Sequence, residues 1–286
     1  MKNILIAIRP FSFIATILPV TAGAMIAENF SFSLYIISLL AAIFIHAGVN
    51  TTNDYFDFKK GIDTKDSLGS SGLLINNILK PKDIFIISII SYILSIILGL
   101  FLIYKVGIGI FWFGLLGIIL GYSYTGFPLH LKYKALGIPL VFTLMGPLMV
   151  LGSYYVQTKH LSDIVFLLSI PIGISTILIL LSNDIRDIEH DKKSKIITLP
   201  ILLGEKKSII LYLILAISIY FFIFYLIYIG IFNFYAVLSL FSLFIYIHIF
   251  KKFLHHSSKK EIAMVDRFSA IAEIILTITI LIALVN

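Results

Sequence analysis

Two short stretches of the chain concentrate side chains that could do chemistry. Residues 50–63 read NTTNDYFDFKKGID and residues 183–195 read NDIRDIEHDKKSK, so Asn-Asp-x-x-Asp recurs at an offset of 130 positions. Eight of the 15 acids lie in or beside them: Asp54, Asp57, Asp63, Asp66, Asp184, Asp187, Glu189 and Asp191. On a helix, Asn50, Asp54 and Asp57 stand at i, i+4 and i+7 and share a face, and Asp184, Asp187 and Asp191 share one at i, i+3 and i+7. Carboxylates at a helix C-terminus face the negative end of the macrodipole. Inside a membrane each costs about 2.5–3.5 kcal/mol even on a lenient insertion scale. Something cationic must offset this.

Three readings of the clusters compete. Solvated loop acids, neutralised by neighbouring lysines, would account for Asp66 and Glu189 but not for two same-face triads. A cation transporter would use the carboxylates as an ion path. The clusters lie at span ends, however, and His46 is the ionisable residue that stands out deeper in the spans. The third reading is a pair of Asp-rich motifs holding Mg²⁺ on a diphosphate, because Mg²⁺ characteristically takes one or two carboxylates plus phosphate oxygens and water. Arg186, inside the second cluster, and Lys192, Lys193 and Lys195 after it suit this reading, since a diphosphate accepts charge-assisted hydrogen bonds. The lysines also fit a general bias of basic residues towards the cytoplasm.

A third stretch, GYSYTGFPLHLKYKALG at residues 121–137, carries Tyr122, Tyr124 and Phe127, whose ring faces could stabilise a cation. An aromatic belt at a membrane interface has the same composition. Lys132 and Lys134 are candidates to reach a substrate. His46 lies one turn before Asn50, where it serves helix packing or acts as a base.

The elements that must position these groups are membrane helices. The chain has 286 residues, 59% of them hydrophobic, with a mean hydropathy of +1.05, against ~45–50% apolar residues in soluble domains. With no cysteine, disulfides and thiol chemistry are excluded. About nine spans are expected, at roughly 10–27, 34–57, 83–104, 107–127, 136–157, 162–183, 208–229, 231–250 and 268–285. All should be helical, since backbone groups in lipid must be satisfied within each segment. The start of the chain resembles a signal peptide, but Arg9 and Pro10 interrupt its apolar run, so a first span is expected. With the N-terminus inside, 20 of the 22 basic residues, Lys259 and Lys260 among them, fall on one side; only Lys105 and Lys159 fall on the other. That bias makes the basic side cytoplasmic. It also absorbs the net charge of +7 without a nucleic-acid partner. The acidic clusters then close spans two and six on the same side, as in a pseudo-repeat with a site between its halves.

Taken together, NDYFDFKKGID and NDIRDIEHDKKSKIITLPILLG resemble the two Asp-rich signatures of the UbiA superfamily of intramembrane prenyltransferases. Within it they are most similar to the branch that prenylates 1,4-dihydroxy-2-naphthoate in menaquinone biosynthesis. Lys60, Gly61 and Asp63 match its first signature. Arg186, Asp187, Ile188, Asp191, Lys195, Thr198, Leu199, Leu203 and Gly204 match the second, with Ser194 where Gly is usual. IRPFSF, SLGSSGLL and GPLMVLGSYYVQT are further echoes, in the right order over nearly the whole chain.

The resemblance implies one all-α membrane domain, a helix bundle around a central cavity that is capped on the cytoplasmic side and open laterally to lipid. Its substrates would be a polyprenyl diphosphate and an aromatic acceptor, the prenyl tail remaining in the bilayer. Asp54, Asp57, Asp184, Asp187 and Asp191 would hold two Mg²⁺ ions, directly or through water, with Asn50 and Asn53 orienting them. Arg186 and Lys195 would stabilise the leaving diphosphate. Asp63, Lys132, Tyr122, Tyr124 and Arg9 would bind substrate, Arg9 and Lys132 being able to take an acidic acceptor. Other acceptors of the superfamily are 4-hydroxybenzoate, homogentisate, haem and an archaeal glycerol-phosphate lipid. A phospholipid head-group transferase is disfavoured, because no Asp-Gly-x-x-Ala-Arg string is present.

Overall fold

A computed structural model describes residues 2–65, 67, 69–255 and 261–284; Asp66, Lys259, Lys260 and the last residue of the ninth expected span lie outside them. Apolar runs become helices because only a helix satisfies its own backbone in lipid. α1 (Lys2–Ile8) and α2 (Ile14–Met25) form a pair bent by 44° around Arg9. α3 (Phe32–Lys59), α4 (Pro81–Val106) and α5 (Gly109–Ser123) follow. α6 (Gly137–Thr143) and α7 (Met149–Thr158) make one span through a π turn at Leu144–Leu148. α8 (Asp163–Arg186), the short α9 (Ile188–Lys193) and α10 (Leu199–Leu203), α11 (Glu205–Tyr228), α12 (Leu240–His255) and α13 (Val265–Leu284) complete the chain.

All nine expected spans are helical, but the count of nine is too high. Among the described residues seven helices are long and apolar enough to cross a membrane, eight with the bent α1–α2 pair. The exception is α5, whose 15 residues reach about 22 Å at 1.5 Å per residue, short of the ~30 Å hydrocarbon core. α3 errs in the other direction. Its 28 residues extend about 42 Å, which carries Asp54 and Asp57 beyond the apolar layer that its first 20 residues fill. α8 ends the same way, with Asp184 in its last turn and Asp187 as its C-cap. Both acidic clusters emerge at one end of the bundle, where Asn53 of α3 and Asp184 of α8 line a common cavity; the short α5 still reverses the chain between α4 and α6.

α8 is the most enclosed span, with two thirds of its apolar window buried against α11, α13, α6 and the π turn. Two close approaches depend on glycine. A Cβ on Gly23 would lie 2.1 Å from the Val150 carbonyl oxygen, and one on Gly146 would lie 2.8 Å from Gly173 Cα. Small residues at such crossings let backbones touch, which is how membrane helices gain packing energy without a hydrophobic drive.

The connections at the acidic end interlock. Lys134 and Ile197 pair backbones, Ala135 N–H donates to Ile197 O (2.7 Å), and Ile62, Tyr133 and Ile196 bury one another. His190 Nε2 lies 2.8 Å from Ile62 O. The loops after α3, α5 and α9 therefore form one cap over the bundle.

Candidate active site

Beneath this cap lies a cavity of about 730 Å³, polar at the acidic end and apolar below. The bend at Arg9 sets one side of its mouth. Arg9 adopts φ 53°, a left-handed conformation that non-glycine residues seldom take. Ser12 Oγ donates to Arg9 O (2.9 Å), and Asn50 Nδ2 donates to Ile8 O and to Ser12 Oγ (2.9 Å each). Asn50 thus fastens the break between α1 and α2. Among the described residues its side-chain hydrogen bonds go to that break and none goes to an aspartate, contrary to the expectation that it orients Asp54 and Asp57.

The break drives the Arg9 guanidinium onto Asp54, a close ion pair, while Ser71 N–H donates to Asp54 Oδ2 (3.3 Å). Asp57 is matched just as fully. Lys132 Nζ lies 2.7 Å from its Oδ2, and the Tyr133 hydroxyl makes a short hydrogen bond to Oδ1. Lys132 also donates to Asn53 Oδ1 (3.2 Å), which is how Asn53 enters the site. Burial alone would lower the Lys132 ammonium, but Asp57 outweighs it and holds the group above its ordinary range. Burial, then Asp57, pushes the Tyr133 phenol far up. Asp54 and Asp57 are buried and do not line the cavity; Arg9 and Lys132 stand in front of them. Burial lifts Asp63, in the following loop, to about 6, and Asp57 adds to it.

The second cluster is more open. Arg186 grips Asp187 at two points, Nε to Oδ1 at 3.0 Å and Nη2 to Oδ2 at 2.7 Å. Asp184 and Asp191 line the cavity without a side-chain hydrogen bond or ion pair among the described residues. The buried Asn183 Oδ1 has no partner there either. Burial raises Asp191 to about 6, with Lys132 opposing and Asp187 adding. Glu189 meets Lys192 at 3.4 Å on the surface, as the solvated-acid reading expects of it.

Three expected substrate contacts, Lys195, Tyr122 and Asp63, fall outside the cavity wall. Lys195 is exposed on the turn after α9. Tyr122 packs edge-on against Phe56, whereas Tyr124 does line the cavity, under the Lys132 ammonium. Three groups at the mouth escaped sequence reasoning. Tyr133 is one. The others are Asp266, 3.6 Å from Arg186 Nη1, and Arg267, both lining the cavity. Their signal in the sequence is an adjacent acid and base opening the last apolar run. His46 is also not the deepest ionisable group of note: Glu273, in α13, is fully buried.

Chemically, hard oxygen donors, fixed cations and an apolar vault suit a polyanion with a greasy tail. Among the described residues no three acids or histidines converge as a finished metal cage.

Comparison with known proteins agrees. The profile of the UbiA prenyltransferase family matches residues 16–271. The chain is 36% identical to 1,4-dihydroxy-2-naphthoate octaprenyltransferase of Bacillus subtilis over 206 residues, 71% of this chain and 66% of that one. It is 34% identical to UbiA prenyltransferase domain-containing protein 1 of Danio rerio over 216 residues, 72% of this chain and 63% of the relative. The match therefore spans just under two thirds of these curated relatives. A UbiA homologue of Archaeoglobus fulgidus, solved with GPP and Mg²⁺, superposes with a TM-score of 0.70 at 17% identity, covering 97% of this chain and 99% of that one. At that identity the likeness speaks for the fold.

Proposed function

We propose, for a chain that belongs to the UbiA prenyltransferase family, that it transfers a polyprenyl group from its diphosphate to an aromatic acceptor, 1,4-dihydroxy-2-naphthoate. The observation that carries this reading is the meeting of two acidic clusters, from α3 and α8, at the charged mouth of one deep apolar cavity. Membrane-spanning helices on every side let the prenyl tail stay in lipid. The acidic end faces the cytoplasm in this reading, because Lys105 and Lys159 stand at the other end and the other described basic residues gather at this one.

Asp184 and Asp191, which have no direct ion pair among the described residues, and Asp187 would be the ligands for Mg²⁺ on one side; Asp54 and Asp57 would be those on the other once Arg9 and Lys132 release them. When bound, Mg²⁺ would neutralise the diphosphate and the charge that develops as it departs. The chain's own residues do the rest. Arg186 and Lys132, and Arg9 once freed, present N–H donors to the leaving oxygens. The allylic C–O bond breaks with its electron pair on the diphosphate, and the Tyr124 ring face stabilises the allylic cation. The apolar wall below withholds water that would quench it. A ring carbon of the acceptor supplies the electron pair of the new C–C bond. If that carbon bears the carboxylate, loss of CO₂ returns the electron pair of the broken bond to the ring and restores aromaticity.

Carboxyl-labelled dihydroxynaphthoate with geranylgeranyl diphosphate and Mg²⁺ tests the reading. Labelled CO₂ should appear in step with prenylated product. Turnover of hydroxybenzoate with its carboxylate kept, and none of the naphthoate, would overturn the acceptor and keep the transferase.

A further inference from the structure

The 130-residue offset relates more than the acidic clusters. Eight positions before Asp54 stands His46, and eight before Asp184 stands Thr176. Both side chains are buried and both line the cavity, one from each half of the pseudo-repeat. Eight residues of continuous helix put each about 12 Å below its carboxylate. The two therefore share one depth, flanked by apolar neighbours, Ala42 and Ile45 on α3 and Ile179 and Leu180 on α8.

Each is backed by a polar partner. His46 Nδ1 lies 2.7 Å from Thr16 Oγ1, while its Nε2 makes only a long contact of 3.4 Å with Ser12 Oγ. Thr176 Oγ1 lies 2.5 Å from Glu273 Oε1 and 3.1 Å from Ile172 O. A hydroxyl has one hydrogen and two lone pairs. Whether Thr176 gives its hydrogen to Ile172 O and receives one from a protonated Glu273, or gives it to Glu273, a lone pair remains for a further donor. A carboxyl buried in a spanning helix is costly, and such residues mark functional sites more often than packing. Glu273 Oε2, and Thr277 Oγ1 one turn along α13, have no hydrogen-bond partner among the described residues.

We propose that His46 and the Thr176–Glu273 pair form the acceptor subsite, taking the two hydroxyls of a para-dihydroxy aromatic ring between α3 and α8. This rests on the function proposed above. The interval between the carboxylates and this polar belt holds the diphosphate and the allylic carbon, so the ring meets that carbon from below. Thr176 accepts a hydrogen bond from one hydroxyl, and His46 Nε2 exchanges its long contact with Ser12 for the other. The belt selects for hydroxyls rather than for charge, which sets it apart from the cations at the mouth.

The test uses the full chain in lipid nanodiscs with dihydroxynaphthoate and two analogues, each lacking one hydroxyl. Binding is measured by calorimetry alongside kcat/KM. Wild type should prefer the dihydroxy compound at least about tenfold, as a site with buried polar partners does. Thr176→Val should reduce the preference for one hydroxyl to less than about threefold, and His46→Phe the preference for the other. Affinity for a polyprenyl thiodiphosphate should stay unchanged, which also shows that the variants fold. Glu273→Gln should retain most of the preference, since its amide still donates to Thr176, and Glu273→Leu should lose it. If both variants discriminate as wild type does, or if they weaken the thiodiphosphate equally, the subsite is refuted and the transferase reading stands. If wild type transfers to no hydroxylated ring, both fall.

Discussion

Lys132→Met removes one charge at near-constant volume, and its consequences separate two roles for Asp57. At 2.7 Å, with an effective dielectric constant of about 20, the Lys132–Asp57 attraction is roughly 6 kcal/mol before desolvation. Breaking a buried pair costs about 3–5 kcal/mol, because the remaining charge stays uncompensated. Tyr133 still donates to Asp57 in the variant, so a loss of about 3 kcal/mol is expected for the metal-free protein. If Asp57 is a metal ligand, Lys132 also competes with the metal. The variant should then bind Mg²⁺ roughly tenfold tighter in the presence of a polyprenyl thiodiphosphate, equivalent to 1.4 kcal/mol. Saturating Mg²⁺ should close much of the stability gap, while transfer falls for want of a donor to the diphosphate. Calorimetric titration of Mg²⁺, paired with unfolding in detergent, reads both quantities. A folded variant with unchanged or weaker Mg²⁺ affinity would refute the competition and leave Asp57 as a partner of Lys132 alone.

Arg186→Leu should lower kcat/KM for the diphosphate about a hundredfold or more, and Arg186→Lys should recover only part, because an ammonium cannot reproduce a two-pronged fork; wild-type kinetics in Arg186→Leu would detach this residue from the chemistry. The pH dependence of the metal-free protein has a definite sign. Asp63 and Asp191 are raised from 3.8 to about 6 in the folded state, so the native form holds more protons than the unfolded chain between those values, and stability falls as pH rises through that window. Unfolding midpoints measured in chelator from pH 3.5 to 7 should decline through it; a rise would contradict the burial of these acids.

What could be read from the sequence is local. The spacing of Asp54 and Asp57, of Asp184 and Asp187, and the apolar runs before them fix faces and helix ends, and both clusters do meet at one end. The partners of those acids were legible as residue types and not as pairs. Arg9 reaches Asp54 only because the chain breaks in a left-handed turn. Asn50 is spent on that break. Lys132 meets Asp57 across 75 positions through a loop with no periodic pattern. Lys195 looked equivalent to Lys132 by composition, yet the turn after α9 directs it outward. Glu273 was hidden by its apolar neighbours, since hydropathy averages dilute one acid among many aliphatic side chains.

The repeat in sequence is not a repeat in electrostatics, and the difference bears on how the site is filled. Around the first cluster, Arg9, Lys132 and Tyr133 neutralise Asp54 and Asp57 and screen them from the cavity. These partners come from the α1–α2 break and the loop after α5. At the second cluster Arg186 is shared between Asp187 and Asp266, and Asp184 and Asp191 face the cavity with no direct ion pair among the described residues. Unpaired carboxylates at a buried mouth are tolerable only where a cation is to arrive. A cation meeting this site therefore has its open place at Asp184 and Asp191. At Asp54 and Asp57 it must displace guanidinium and ammonium groups, and each group displaced becomes a free donor for a bound anion. Under the function proposed here, a cation bound at Asp54 and Asp57 would thus turn Arg9 and Lys132 into donors for a diphosphate on the same wall.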